Sequence, residues 1–303
     1  MQAKDFLSID QLRSEDLHEL LDRARLLKAK PFSSATLLEN RVVALIFEKP
    51  SLRTRVSFEV ATQQLGGHCL YLSPAEVGLG EREAVADVAR VLSRYVDALV
   101  ARTFLHSDVE ALAHAATVPV INGLSDRSHP CQLLADLLTI QERFGRLHGL
   151  RLAYLGDGNN VARSLIEGVP LAQYSLCVAC PPGYEPDPEA VASARANGGT
   201  VEVAHDAAAA VRDADVIYTD AWFSMGQEAE REARAAVFPP FRVSSNLMAQ
   251  APEHAIVLHC LPAHRGEEIT DEVIEGPQSA VFDQAENRLH AQKALLAGLL
   301  GPG

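Results

Sequence analysis

The sequence predicts an α/β protein of two domains, each a mainly parallel sheet flanked by helices. Three observations carry that expectation. The chain is 303 residues long, and at about 150 residues per domain that length suggests two domains, each able to bury a sizeable core. Hydrophobic residues make up 48% of it and charged residues 22%, the balance of a globular chain and not of a disordered one. Short runs of Val, Ile and Leu with little polar alternation recur between longer helical patterns, as expected of strands covered on both faces and joined by crossover helices.

Taken in order, the apolar runs place strands at Val42–Phe47, Cys69–Leu72, Ala98–Ala101, Val118–Ile121, Leu150–Leu155, Leu176–Ala179, Val201–Val203, Val216–Thr219, Ile256–His259 and Ala280–Phe282. Helical spacing of apolar residues predicts helices over Ser14–Ala29, Val56–Leu65, Val85–Tyr95, Val109–Ala116, Gln132–Phe144, Val161–Ala172, Glu189–Asn197 and Ala285–Leu300, with the alanine run Ala207–Ala210 inside another. Gly145 after Phe144 stops a helix, and Arg146–Gly149 leads into a fresh strand. That stop sets the expected domain junction: residues 1–145 form one domain and 146–284 the second. Periodicity alone leaves the partner of the final helix open.

Composition excludes several classes of partner. Lys and Arg number 27 against 40 Asp and Glu, a net charge of −13, so nucleic acid and anionic membrane are unfavourable partners. No stretch reaches the roughly 20 apolar residues that span a bilayer, and the start of the chain lacks an apolar signal core, which gives a cytoplasmic expectation. The five cysteines are odd in number and scattered, as reduced thiols are. Cys177 and Cys180 have C-x-x-C spacing, but they lie on or beside a strand where positions three apart face opposite sides, and no second pair completes a zinc site.

An anionic substrate would therefore need a few placed arginines. Strand Val42–Phe47 runs into Pro50-Ser51-Leu-Arg53-Thr54-Arg55 and then an amphipathic helix. Unpaired N–H groups at the helix start would face a loop carrying two arginines and two hydroxyls, an anion site in outline. The alternative is a capped helix whose arginines pair with surface acids. Four further polar patches sit at carboxyl edges of strands, where open α/β sheets hold their ligands. They are Arg102-Thr103, Ser128-His129-Pro130-Cys131-Gln132, Asp220–Gln227 and His259–Gly266. Gly156-x-Gly158 has the start of a dinucleotide fingerprint, but Val161 stands where its third glycine or alanine belongs.

Together these residues resemble the aspartate/ornithine carbamoyltransferase family. Its S-T-R-T-R appears as Ser51–Arg55, H-P-x-Q as His129–Gln132, D-G-N-N as Asp157–Asn160, D-x-x-x-S-M-G as Asp220–Gly226, H-C-L-P as His259–Pro262 and E-N-R as Glu286–Arg288. The six motifs occur in family order from about residue 45 to about residue 290. The resemblance implies two Rossmann-like domains, with the helix 285–303 returning to the first, which binds carbamoyl phosphate, while 146–284 binds ornithine. It implies carbamoyl transfer to the δ-amine of ornithine, no metal or organic cofactor, and a homotrimer with sites at subunit interfaces. By the same resemblance, carbamoyl phosphate falls to Ser51, Leu52, Arg53, Thr54, Arg102, His129, Gln132, Cys260, Leu261 and Arg288. Ornithine falls to Asn160, Asp220, Ser224 and Met225, and the catalytic roles to Arg102, His129, Asp220 and Cys260.

The chain departs from the family at two places. Leu52 stands where most relatives have Thr and loses a hydroxyl, although its backbone N–H remains. Gly78 stands where a Gln is common, removing an amide that in relatives reaches carbamoyl phosphate from a neighbouring subunit. Sibling activities on putrescine or aspartate and a non-catalytic anion-binding protein are the competing readings. The S-M-G segment favours an amino acid over putrescine, and Cys260-Leu261-Pro262 favours ornithine over aspartate.

Overall fold

The computed structural model describes residues 4–223 and 230–301. It divides into two compact units, one of Met1–Leu138 with Glu286–Gly303 and the other of Thr139–Ala285. The division falls inside the helix Pro130–Phe144, earlier than the 145/146 junction expected where that helix stops.

The first unit is built on four strands, β1 (Val42–Phe47), β2 (His68–Leu72), β3 (Ala98–Arg102) and β4 (Val120–Leu124). They pair in the order β2-β1-β3-β4, all parallel. The second unit carries β5 (Arg151–Leu155), β6 (Ser175–Ala179), β7 (Thr200–Ala204), β8 (Val216–Thr219) and β9 (Ile256–His259). These pair in the order β7-β6-β5-β8-β9, again all parallel. In each sheet the chain moves outward on one side and then returns to extend the other. The reversal lies between β1 and β3 in the first sheet and between β5 and β8 in the second, and these are the points where α/β sheets open a crevice at their carboxyl edge.

Burial explains the helices. Ser14–Ala29 has the expected bounds, with Leu17, Leu20, Leu21, Ala24 and Leu27 buried at the spacing of one helical face. Other helices start earlier than apolar periodicity predicts, at Leu52, His106, Pro130 and Asn160, because polar residues and proline can fill a first turn that apolar spacing does not mark. Short helices at Pro74–Val77, Arg231–Val237, Ser245–Met248 and Asp271–Ile274 are too brief to show a period.

Two expected strands change. The run expected at Val118–Ile121 becomes Val120–Leu124, beginning after Pro119, which has no N–H to give a ladder. Ala280–Phe282 is no strand: Val281 opens the helix Val281–Leu300, and only a single bridge ties Ser279 to Val257. Three apolar residues cannot distinguish the two states, whereas buried Val281, Gln284, Arg288 and Ala291 follow helical spacing.

The same helix completes the first unit. Lys293 is fully buried on it and donates to the carbonyls of Leu27 and Pro31 at 3.2 and 3.0 Å and to Gln64 Oε1 at 2.7 Å. Three oxygens satisfy the ammonium, and burial pushes its pKa down.

Candidate active site

One cluster of candidate residues, within the first unit, lies at the β1/β3 reversal. Phe47 and Arg102 are register partners, so the loop after β1 and the last residue of β3 emerge side by side. Ser51 caps the helix Leu52–Gln64, its hydroxyl accepting from the Thr54 N–H at 3.3 Å. The N–H groups of Leu52 and Arg53 fall in the first turn, where no helical carbonyl reaches them. Leu52 is 73% exposed, so its side chain packs on little and its backbone is what it offers. Arg55 fits the surface alternative: it pairs with Glu59 at 2.8 Å and lies over the Tyr71 ring.

Thr54, Arg102, His129, Gln132 and Arg288 are all buried. Arg288 donates to Gln132 Oε1 at 2.6 Å and to Thr54 Oγ1 at 3.2 Å, and Gln132 in turn donates to Asp136 at 2.8 Å. The final helix thus ties S-L-R-T-R to H-P-C-Q. His129 is presented by a turn in which Ser125 and Ser128 bond each other, while Asn122 spans Leu7, Ser125 and Ser128. Burial first, then the nearby charges of Arg288 and Arg102, hold the His129 pKa well below its ordinary value. The imidazole is therefore neutral at physiological pH, able to give one N–H to an oxygen.

A second cluster, within the second unit, lies at the β5/β8 reversal. Leu155 pairs with Thr219 and Thr219 with His259, so Gly156, Asp220 and Cys260 are the next residues along three neighbouring strands. Asp220 is engaged on both oxygens. Oδ1 accepts from the Cys260 thiol at 2.9 Å and the Ala221 N–H at 2.8 Å, and Oδ2 accepts from Asn159 Nδ2 at 2.8 Å. Asn159 also caps the helix Asn160–Ala172, its Oδ1 accepting from the N–H groups of Val161 and Ala162. Asn160, the residue expected from the motif, is half-buried in the first turn. A Cβ at Gly158 would lie 2.2 Å from the Pro186 nitrogen, so this glycine serves close packing. Ser224 and Met225 lie outside the described residues.

Behind Cys260, His259 Nδ1 accepts the Leu261 N–H at 2.9 Å, which leaves Nε2 to donate to Glu268 Oε1 at 3.0 Å. The His259 N–H goes to Gln284. Leu261 takes a positive φ of 57°. Asp220, His259 and Cys260 bring ligand-type atoms within 4.8 Å of one another, as do His264, Glu267 and Glu268. In the first set these atoms are already joined to protein partners, and in the second Glu267 pairs with Arg231 at 2.5 Å. Cys177 and Cys180 belong to neither set, and burial pushes their pKa values up to about 11 and about 12.

Comparison with known proteins decides the family. The carbamoyl-P binding domain model of aspartate/ornithine carbamoyltransferases matches residues 4–142, and the Asp/Orn binding domain model matches 148–299. The chain belongs to the aspartate/ornithine carbamoyltransferase family. Its relatives include ornithine carbamoyltransferases of Methanoculleus marisnigri, 54% identical over 99% of this chain and 98% of that one, and of Acidothermus cellulolyticus, 56% identical over 98% and 96%. Among solved structures, ornithine carbamoyltransferase from Pyrococcus furiosus matches with a TM-score of 0.94 at 52% identity, covering 98% of this chain and 97% of that one. The Thermus thermophilus structure matches with a TM-score of 0.92 at 48% identity, over 99% and 100%.

In this family member, motif reading marks residues at strand ends, and the structure adds side chains bonded to them that the motifs do not mark. Asn159 sits one position from an expected residue and could have been found from its capping position. Glu268 and Gln284 lie beyond the H-C-L-P motif, and only the tertiary fold brings them to His259.

Proposed function

We propose that the chain transfers the carbamoyl group of carbamoyl phosphate to the δ-amine of L-ornithine, giving L-citrulline and phosphate. The observation that carries this reading is the pair of polar clusters at the two strand-order reversals, one cationic and one holding the Asp220–Cys260 pair, in a chain over half identical to proteins named ornithine carbamoyltransferase. The phosphate falls to the first-turn N–H groups of Leu52 and Arg53 with Ser51, Thr54 and the Arg53 guanidinium, a helix start being a ready anion site. The carbamoyl group falls to Arg102, His129, Gln132 and Arg288, and by the family resemblance also to Cys260 and Leu261. Asp220 takes the α-ammonium of ornithine, and Asn160, Ser224 and Met225 the remaining α-group contacts.

The C–N bond forms as the neutral amine attacks the carbonyl carbon, and the C–O bond to phosphate then breaks. The amine proton departs with the phosphate, which is basic enough to accept it. Charge on the carbonyl oxygen is stabilised by fixed donors, Arg102, neutral His129 and the Thr54 hydroxyl. Cys260, whose thiol donates to Asp220, orients and does not attack. The biosynthetic direction matches a Pyrococcus furiosus relative named anabolic. The reading includes a homotrimer, for which Leu52, Val56 and Leu70 supply exposed apolar surface on adjacent elements, and a cytoplasmic location, which suits five cysteines that form no disulfide.

The test is citrulline formation with ornithine, putrescine and aspartate offered in parallel. Turnover confined to ornithine is the expected result, and preferred use of either other amine would overturn the assignment.

A further inference from the structure

Asp220 is oriented by two loops that would repel one another without a cation. Asp157, on the turn after β5, is largely buried, and burial is the chief force raising its pKa, with the charge of Asp220 pushing the same way. Arg234, on the helix Arg231–Val237, is the neighbour that opposes both. Its side chain is 6% exposed; Nη1 donates to Asp157 Oδ2 and to the Trp222 carbonyl, each at 2.7 Å, and Nε donates to Glu230 at 2.9 Å. The guanidinium stacks near the rings of Tyr184 and Phe238, at 4.9 and 5.8 Å.

One guanidinium thus joins the turn that carries Asn159 to the segment that carries Asp220. Asn159 and Asp220 are themselves bonded, so the two loops are cross-linked twice, two residues apart on each side. A planar fork with fixed donor directions can hold a carboxylate and a carbonyl together in a way a flexible ammonium cannot.

We infer that Arg234 is a positioning residue for the amino-acid half of the reaction, fixing the Asp157 turn to the Trp222 backbone and so the direction in which Asp220 presents its carboxylate. The inference rests on ornithine being the amine substrate. The hydrogen-bond partners of Arg234 among the described residues are Asp157, Trp222 and Glu230, all in the second unit and outside the cluster of Thr54, Arg102, His129, Gln132 and Arg288, so its main effect falls on the amino acid.

Steady-state kinetics of Arg234→Gln, Asp157→Asn and the double variant test it. Each single change should raise the KM for ornithine on the order of tenfold, the part of a broken buried pair that reaches the substrate through Asp220, while leaving the KM for carbamoyl phosphate within about twofold. The double variant should stay within about twofold of the worse single, because both changes cut the same link. Ornithine KM unchanged in both singles, equal rises for the two substrates, or multiplied effects in the double would each overturn the role. Should Arg234→Gln lack the circular dichroism spectrum of the wild type, and so fail to fold, the isosteric Asp157→Asn carries the test alone. Wild-type protein that makes no citrulline would remove the substrate reading and this inference together, whereas an active wild type with unshifted variants would remove the inference only.

Discussion

At the residue scale the donors of the first unit differ in how much of their chemistry depends on pH. Arg102 keeps its charge at every working pH, and Arg102→Gly should lower turnover by on the order of 10²-fold, the loss expected for one oxyanion donor. Near-native citrulline formation would remove it from that role. His129 is held neutral by burial and by two arginines. It therefore contributes no ionisation between about pH 6 and about pH 9, and the rate at subsaturating ornithine should rise through that window as the δ-ammonium, which like a lysine side chain titrates at about 10.4, loses its proton. A flat profile would show that the free amine is not what limits the rate. The stability of the fold follows the opposite limb. The unfolded chain protonates His129 below about pH 6.5 while the folded one does not, so this residue makes the protein less stable as pH falls from about 7 toward the depressed folded value. Urea midpoints measured along that range should decline, and less steeply in His129→Asn. Asp220→Asn should raise the ornithine KM by on the order of 10- to 100-fold, as loss of a charged hydrogen bond of about 1.5–3 kcal/mol implies, with little change for carbamoyl phosphate.

At the scale of single elements, the start of the helix Leu52–Gln64 is where backbone and side chain can be separated. Leu52 is exposed and caps nothing. Leu52→Ala should shift the KM for carbamoyl phosphate by no more than a few-fold, whereas Leu52→Pro, which the first helical turn tolerates sterically, deletes an N–H aimed at the anion and should abolish binding. Equal mild effects in isothermal titration would refute a backbone role. Gly78 has a local explanation as well. It ends the helix Pro74–Val77 in the left-handed region at φ 54°, and a Cβ there would stand 2.8 Å from the Cβ of Arg82. The same contrast shows what could be read without a structure. Ser51, Arg102, His129, Asp220 and Cys260 are legible because each stands at the end of a buried strand or in the loop after it, and a strand announces its own end by the change from apolar to polar residues. Glu268, Gln284 and Arg234 were not, because their partners lie on other elements and nothing within a few positions of them signals the contact. The false strand at Ala280–Phe282 failed for a related reason, since three residues carry no period.

At the scale of the whole molecule, a net charge of −13 opposes an anionic substrate, and what offsets it is concentration of cations: Arg53 stands in the first turn of its helix, Arg288 bonds Thr54 in that turn, and Arg102 and Arg288 both act on His129, all within one unit. Association of carbamoyl phosphate should therefore weaken as salt is raised, because added ions screen the attraction between those charges and the phosphate. The unit that gathers them is discontinuous. Thr54 and Gln132 receive Arg288, and Leu27, Pro31 and Gln64 receive Lys293, only from the last helix. Protein synthesis delivers that helix after the residues it completes. The unit begun by Met1–Leu138 must therefore wait for Glu286–Gly303 before its buried acceptors are filled, while the continuous unit Thr139–Ala285 can mature ahead of it. A chain terminated at Ala285 should accordingly resist protease across the later segment and be cut within the earlier one, so that the order of maturation runs against the order of translation.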